Sequence, residues 1–228
     1  MDGILPKYYF SGEFADFYDR LSSISHKKIC FRSGDLLWRA GEPVKCTYYF
    51  HSGFVQTYVE HEDGHKKILS FHGSGSIFPG FQKTDFKIEK SIVMKAAADV
   101  EADAFDRHSF YELCLGDPLL MARVCEFQSA YINMLIYDAA HQKFNDIFLK
   151  LCNFLYLMWK NQGGREHMGI YITQEAIADT LGVGRNHVTK CMSRLRREGI
   201  VELRRGLIKV MDSRGLGKYC SAETRDHV

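Results

Sequence analysis

The chain has 228 residues, enough for two domains with separate cores. Its hydrophobic content of 46%, charged content of 25% and formal net charge of +2 exclude a disordered or strongly polyionic chain. The charge is unevenly placed: residues 160–228 hold 13 Lys/Arg against 8 Asp/Glu, so a basic C-terminal module follows a mildly acidic one.

Met1 to Arg20 is polar and acidic and reads as no signal peptide. The most apolar stretch, Ile147 to Trp159, is broken by Lys150 and Asn153 and is too short to span a bilayer. A cytoplasmic location with no membrane partner is therefore expected. The seven cysteines are scattered and contain no Cys-x-x-Cys pair, which indicates neither a disulfide framework nor a compact metal site.

From Ile29 to about Phe105, short β-rich runs alternate with Gly34, Gly41, Gly53, Gly64, Gly73 and Gly75. Tyr48–Phe50, Phe54–Val59 and Lys67–Phe71 are predicted strands, and Glu62-Asp63-Gly64-His65 is a predicted hairpin turn. This pattern predicts an N-terminal β-roll of the jelly-roll type, assigned to residues 1–116. After Asp117-Pro118 the period becomes helical. Leu120, Val124, Phe127, Tyr131 and Met134 make one stripe, and Met121, Cys125, Ile132, Leu135 and Ala139 make a second. A helix over 117–143 with two apolar faces is expected to pack twice, once inside its own chain and once in a homodimer.

Residues 144–228 form the predicted third part, opening with a helix from Ile147 to Lys160. Thr173 can cap a helix carrying Ala176, Ile177 and Leu181, and Gly182 stops it. Val183, Val188, Met192 and Leu195 then pack a second helix onto the first. Its other face offers Arg185, Asn186, His187, Thr189, Lys190, Ser193 and Arg194. After Gly199, two runs, Ile200–Leu203 and Leu207–Val210, flank Arg204-Arg205-Gly206 as a two-stranded wing. This is a winged helix-turn-helix, and double-stranded DNA is the expected partner. Thr173, Arg185, Asn186, His187, Thr189, Lys190, Arg194, Arg204 and Arg205 are the candidate DNA-binding residues.

In this order, β-roll, long helix and winged helix-turn-helix, the α+β chain resembles the Crp/Fnr superfamily of bacterial transcription regulators. The likeness rests on Phe31–Glu42, with its Gly41-Glu42 pair, on Tyr48–Val55, and on Ile172–Gly199. It implies a homodimer reading a palindromic operator under control of a small molecule in the roll, with RNA polymerase as a further partner if the protein activates. It also implies that Arg185, Asn186 and Lys190 face DNA bases. Cyclic-AMP-binding members carry a Glu in a Gly-Glu-Leu loop and an Arg ten residues later. The matching positions here are Gly80 and Lys90, so the ribose contact and the bidentate phosphate fork are missing. No cysteine precedes Cys30, so the N-terminal cluster of oxygen-sensing members is absent as well. The expected effector is thus an unidentified small molecule other than a cyclic nucleotide, lined by Phe71, Phe78, Gly80, Lys90, Phe127, Tyr131 and Met134.

Two other readings compete. His51, His61, His65 and His72 raise a metal enzyme of the cupin type or a haem-based gas or redox sensor, but no His-x-His pair places two imidazoles on one strand face. No catalytic residue, metal site or required cofactor is expected.

Overall fold

The computed structural model describes residues 4–81, 91–165 and 167–225. The chain begins with β1 (Tyr9–Phe10), a 3-10 turn at Ala15–Phe17 and α1 (Tyr18–Leu21). The strands β2 (His26–Phe31), β3 (Leu36–Trp38), β4 (Cys46–Ser52), β5 (Phe54–Glu60), β6 (Lys66–Gly73), β7 (Ile77–Phe78), β8 (Ile92–Ala96) and β9 (Val100–Asp106) follow. Then come α2 (Arg107–Gly116), α3 (Pro118–Phe144), α4 (Ile147–Asn161), β10 (Gly169–Ile170), α5 (Gln174–Leu181) and α6 (Arg185–Arg197). β11 (Val201–Arg204), β12 (Leu207–Val210) and α7 (Ser213–Lys218) complete it.

Two compact units divide these elements. The first comprises residues 9–64 and 69–132. It holds two sheets, ordered β1-β6-β5-β8-β3 and β2-β9-β4-β7. One face of the second sheet packs with Leu37, Trp38, Phe50, Val55, Met94 and Ala102; Tyr49 and Phe105 join Phe10, Phe14, Leu120, Val124 and Phe127 in another cluster. The tight β4–β5 connection depends on Gly53, whose φ is +73° and where a Cβ would lie 2.0 Å from the Asp99 carbonyl oxygen.

The second unit comprises the residues up to Tyr8, residues 65–68 and everything from Asn133 onward. Its centre is α4, where every residue from Leu151 to Trp159 is buried. Asp146 starts that helix by accepting the Leu149 amide at 2.8 Å. The wing is larger than the sequence indicates: β10 pairs antiparallel to β12, giving a three-stranded sheet ordered β10-β12-β11. A strand of two residues is too short to show an alternating pattern.

The long helix α3 does not form a body of its own; the units divide it between Ile132 and Asn133. Its first stripe is covered, with Leu120, Val124, Phe127 and Met134 buried. Its second stripe is open: Ile132 is 56% exposed and Leu135 37%, and Ile136, which the sequence stripe omits, is 64% exposed. No helix among the described residues is long and apolar enough to cross a membrane.

Candidate nucleic-acid interface and roll interior

In the second unit, α5 and α6 form the expected helix-turn-helix. Thr173 Oγ1 accepts the Ala176 amide at 3.1 Å and so satisfies one orphan donor of the first turn. Gly182 ends α5 in the left-handed region, at φ +61°, where a side chain would be strained. Val188, Met192 and Leu195 are fully buried, which fixes which side of α6 faces outward. That outer side carries Arg185, Asn186, His187, Thr189 and Lys190, all exposed. No acidic residue occurs in α6.

A groove of about 340 Å³ lies between the start of α5 and the wing. Thr173, Gln174 and Glu175 line it on one side, Arg204, Arg205 and Gly206 on the other, and Arg185 reaches it from α6. Three guanidiniums beside a helix N-terminus make a site for an anionic oxygen, such as a DNA phosphate. Arg204 is braced by Glu202 at 2.7 Å, and this ion pair holds the Glu202 carboxyl below the usual range. Glu175 is the one carboxylate lining the groove.

Two predicted residues have other partners. Thr189 Oγ1 donates to Gln174 Oε1 at 2.7 Å, with the Arg185 carbonyl oxygen 3.1 Å away as the alternative acceptor, so it ties α6 to α5 while remaining on the outer face. Arg194 stays exposed, at 46% of its side chain, and also has partners within the unit. Its Nε donates to Glu198 at 3.0 Å, and its guanidinium lies 4.0 Å from the Phe148 ring centroid and 5.2 Å from that of Tyr219. Those partners tie α6 to α4 and α7 while the guanidinium remains open to solvent. Phe148 and Tyr219 lie far away in sequence and gave no warning.

In the first unit an aromatic cluster fills part of the roll. The His72 ring is fully buried and stacks at 15° on Phe10, with centroids 5.4 Å apart. Phe78, Phe127 and Tyr131 surround it at 4.6, 6.2 and 6.3 Å. Its Nε2 is 2.9 Å from Ser70 Oγ, which is linked to Thr57 Oγ1 at 2.7 Å and donates to Tyr131 Oη at 3.2 Å. Its Nδ1 is buried without a partner. Burial lowers the imidazole pKa to about 3, so His72 is neutral.

Of the predicted effector residues, Phe78, Phe127 and Tyr131 belong to this cluster. Gly80 lies beside it: a Cβ there would be 3.8 Å from Phe127. Phe71 does not belong to it. Strand residues alternate in direction, and β6 turns Ser70 and His72 toward the rings and Phe71 the other way. Met134 is buried but falls in the second unit. Lys90 lies outside the described residues. The sequence reading missed Phe10, because its pairing to β6 is parallel and non-local, with Phe10 opposite His72.

The other histidines have separate settings. His51 Nε2 lies 2.9 Å from buried Asp103, with His26 Nε2 at 3.7 Å and the Tyr18 hydroxyl at 2.8 Å from the same carboxylate oxygen. Burial raises the Asp103 pKa, but the bonds to His51 and Tyr18 outweigh it and leave it lowered. His61 is exposed and pairs with Asp63. Among the described residues, no group of three or more His, Cys, Asp or Glu side chains is arranged to hold a metal ion.

Known proteins share both units. Residues 28–117 match the family profile of the cyclic nucleotide-binding domain, and residues 149–219 match the Crp-like helix-turn-helix domain. The cAMP-activated global transcriptional regulator Vfr of Pseudomonas aeruginosa is 20% identical over 202 residues, covering 86% of this chain and 94% of that protein. Electron transport regulator A of Shewanella oneidensis is also 20% identical, over 200 residues, covering 85% and 78%. The solved structure of FixK2 from Bradyrhizobium japonicum superposes with a TM-score of 0.77 at 17% identity, over 87% of this chain and 99% of that one, which establishes a shared fold. With both domain profiles matched in this order on the fold described, the chain belongs to the Crp/Fnr family of DNA-binding transcription regulators.

Proposed function

We propose that this protein is an effector-responsive regulator that binds a two-fold-symmetric DNA site as a homodimer. The observation that carries the DNA reading is the outer face of α6. Arg185, Asn186 and Lys190 stand exposed there, and the groove with Arg204 and Arg205 lies beside them. Such a helix enters the major groove while the wing grips phosphate.

The open stripe of α3 supports the dimer. Ile132, Leu135 and Ile136 form an apolar strip at helical spacing, which a second copy of the helix would cover. Two copies place two recognition helices on successive half-sites about 34 Å apart. Contact with RNA polymerase follows if the protein activates, and a cytoplasmic location accords with a DNA-binding role.

The effector is assigned to the ring cluster of the roll. The cluster is closely packed, so a ligand would enter by displacing its rings; aromatic faces with hydroxyl groups and one neutral imidazole suit a small, partly apolar molecule. A cyclic nucleotide is disfavoured because Gly80 supplies no carboxylate for a ribose. Light scattering is expected to give twice the chain mass, and titration calorimetry with cyclic AMP no heat of binding. A monomer that still binds symmetric DNA overturns the dimer, and micromolar cyclic AMP binding overturns the effector assignment.

A further inference from the structure

The carboxylate of Asp138 is a junction inside the second unit. It is nearly buried, at 11% side-chain exposure, and three donors converge on it. Tyr8 Oη donates to Oδ1 at 2.7 Å, Gln142 Nε2 to the same oxygen at 3.2 Å, and Lys67 Nζ lies 2.7 Å from Oδ2. The same Lys67 ammonium donates to the carbonyl oxygen of Thr180, near the end of α5.

The last carbonyls of a helix lack intrahelical partners and carry its negative end. In α5, Ala178 O is met by the amides of Gly182 and Val183. Thr180 O is met by Lys67, with Gln142 Nε2 at 3.5 Å. A cation from residues 65–68 therefore caps the first helix of the DNA-binding pair, at the turn that sets the direction of α6.

We propose that Lys67, held by Asp138, is a positioning residue for DNA recognition: it fixes the end of α5 and so the attitude of α6. The inference rests on the DNA-binding reading above. Both polar groups are engaged with one another and with α5, so both act through the helix pair. A tie of this kind lowers the ordering cost of binding, so cutting it weakens specific association. Lys67 also has covalent consequences. One residue past Ile68, β6 enters the roll, where Ser70 and His72 join the ring cluster, and Tyr8 stands two residues before Phe10 of that cluster. Asp138 follows Tyr131 on α3 by two turns.

The test uses the full-length chain and fluorescence anisotropy on two labelled duplexes, one carrying the selected site and one of random sequence. Lys67→Met is expected to weaken the selected site roughly tenfold, the equivalent of one charge-assisted hydrogen bond, and to leave the random duplex unchanged. Lys67→Arg should restore most of the loss, and Asp138→Asn added to Lys67→Met should cost little more. Should Lys67→Met fail to fold, Lys67→Gln keeps a donor without the charge and is expected to show a smaller loss of the same kind. Wild-type affinity in Lys67→Met or Lys67→Gln, equal losses on both duplexes, no rescue by arginine, or additive effects with Asp138→Asn overturn the proposal. Failure of the unaltered protein to prefer any duplex overturns the DNA-binding reading first, and this inference with it.

Discussion

Between pH 6.5 and about 4.5, His72 is expected to make the protein lose stability at a slope of up to about 1.4 kcal/mol per pH unit, and His72→Leu is expected to remove that share of the slope. The imidazole is fully buried, and burial lowers its pKa from 6.5 to about 3. Unfolding exposes it to water, where it takes up a proton below 6.5. Its stabilisation of the fold is therefore present above pH 6.5 and lost as pH falls from there toward 3. Over the first two units this comes to about 2–3 kcal/mol, a large share of the ~5–15 kcal/mol that stabilises a domain. His141, whose pKa burial also lowers, contributes in the same window and the same direction. Asp103 acts lower down. Its bonded carboxylate stabilises the fold above its unfolded pKa, near 3.9, and that contribution disappears as pH falls below it. Burial raises the Asp179 pKa, which acts in the opposite sense as pH falls, so the comparison with His72→Leu is what singles out His72. Leucine removes a buried Nδ1 that has no partner but also the Nε2 bond to Ser70 Oγ, which keeps Thr57 and Tyr131, so a loss of about 1 kcal/mol is expected at pH 7. Urea titrations at pH 7, 5.5 and 4.5 decide it. Equal slopes for the two proteins would show that His72 is not held neutral by burial.

Asn186→Glu is expected to change which base pair the protein prefers, by about 1–3 kcal/mol at one position of each half-site. Asn186 is exposed on the first turn of α6, between Arg185 and His187. An asparagine amide presents one donor and one acceptor, which match N7 and the N6 amine of adenine. A glutamate accepts only, which matches the N4 amine of cytosine. The variant should therefore move the preference from A·T toward C·G at that pair. Arg204→Ala, in the wing, should instead weaken all sequences alike, as loss of a phosphate contact does. Competition among duplexes that differ at a single pair measures both effects. A uniform loss for Asn186→Glu, without a change of preferred base, contradicts the assignment of Asn186 to base readout.

The parts legible in the sequence were those fixed by near neighbours. Thr173, Gly182 and the Val188–Met192–Leu195 stripe define the helix-turn-helix within about two dozen residues, because capping and helical period are local. The β5–β6 turn at Asp63-Gly64 was legible for the same reason, and Gly64 has a φ of +85°. Contacts that close over long chain separations were not legible. The parallel pairing of Tyr9–Phe10 with β6 sets which residue lies beside the rings, and without it Phe71 and His72 could not be told apart. A shift of one residue along a strand changes the face. The same limit hid the Phe148 and Tyr219 partners of Arg194, and the meeting of Lys67, Asp138 and Tyr8.

The central claim, sequence-specific recognition of duplex DNA by α6 and the wing, is tested most directly by selection from a pool of random duplexes. The recovered site is expected to be two-fold symmetric, with half-sites one helical turn apart and A·T at the pair facing Asn186, and its binding should weaken steeply as salt rises. Recovery of no common sequence, or of a single asymmetric site bound by a monomer, would contradict the account.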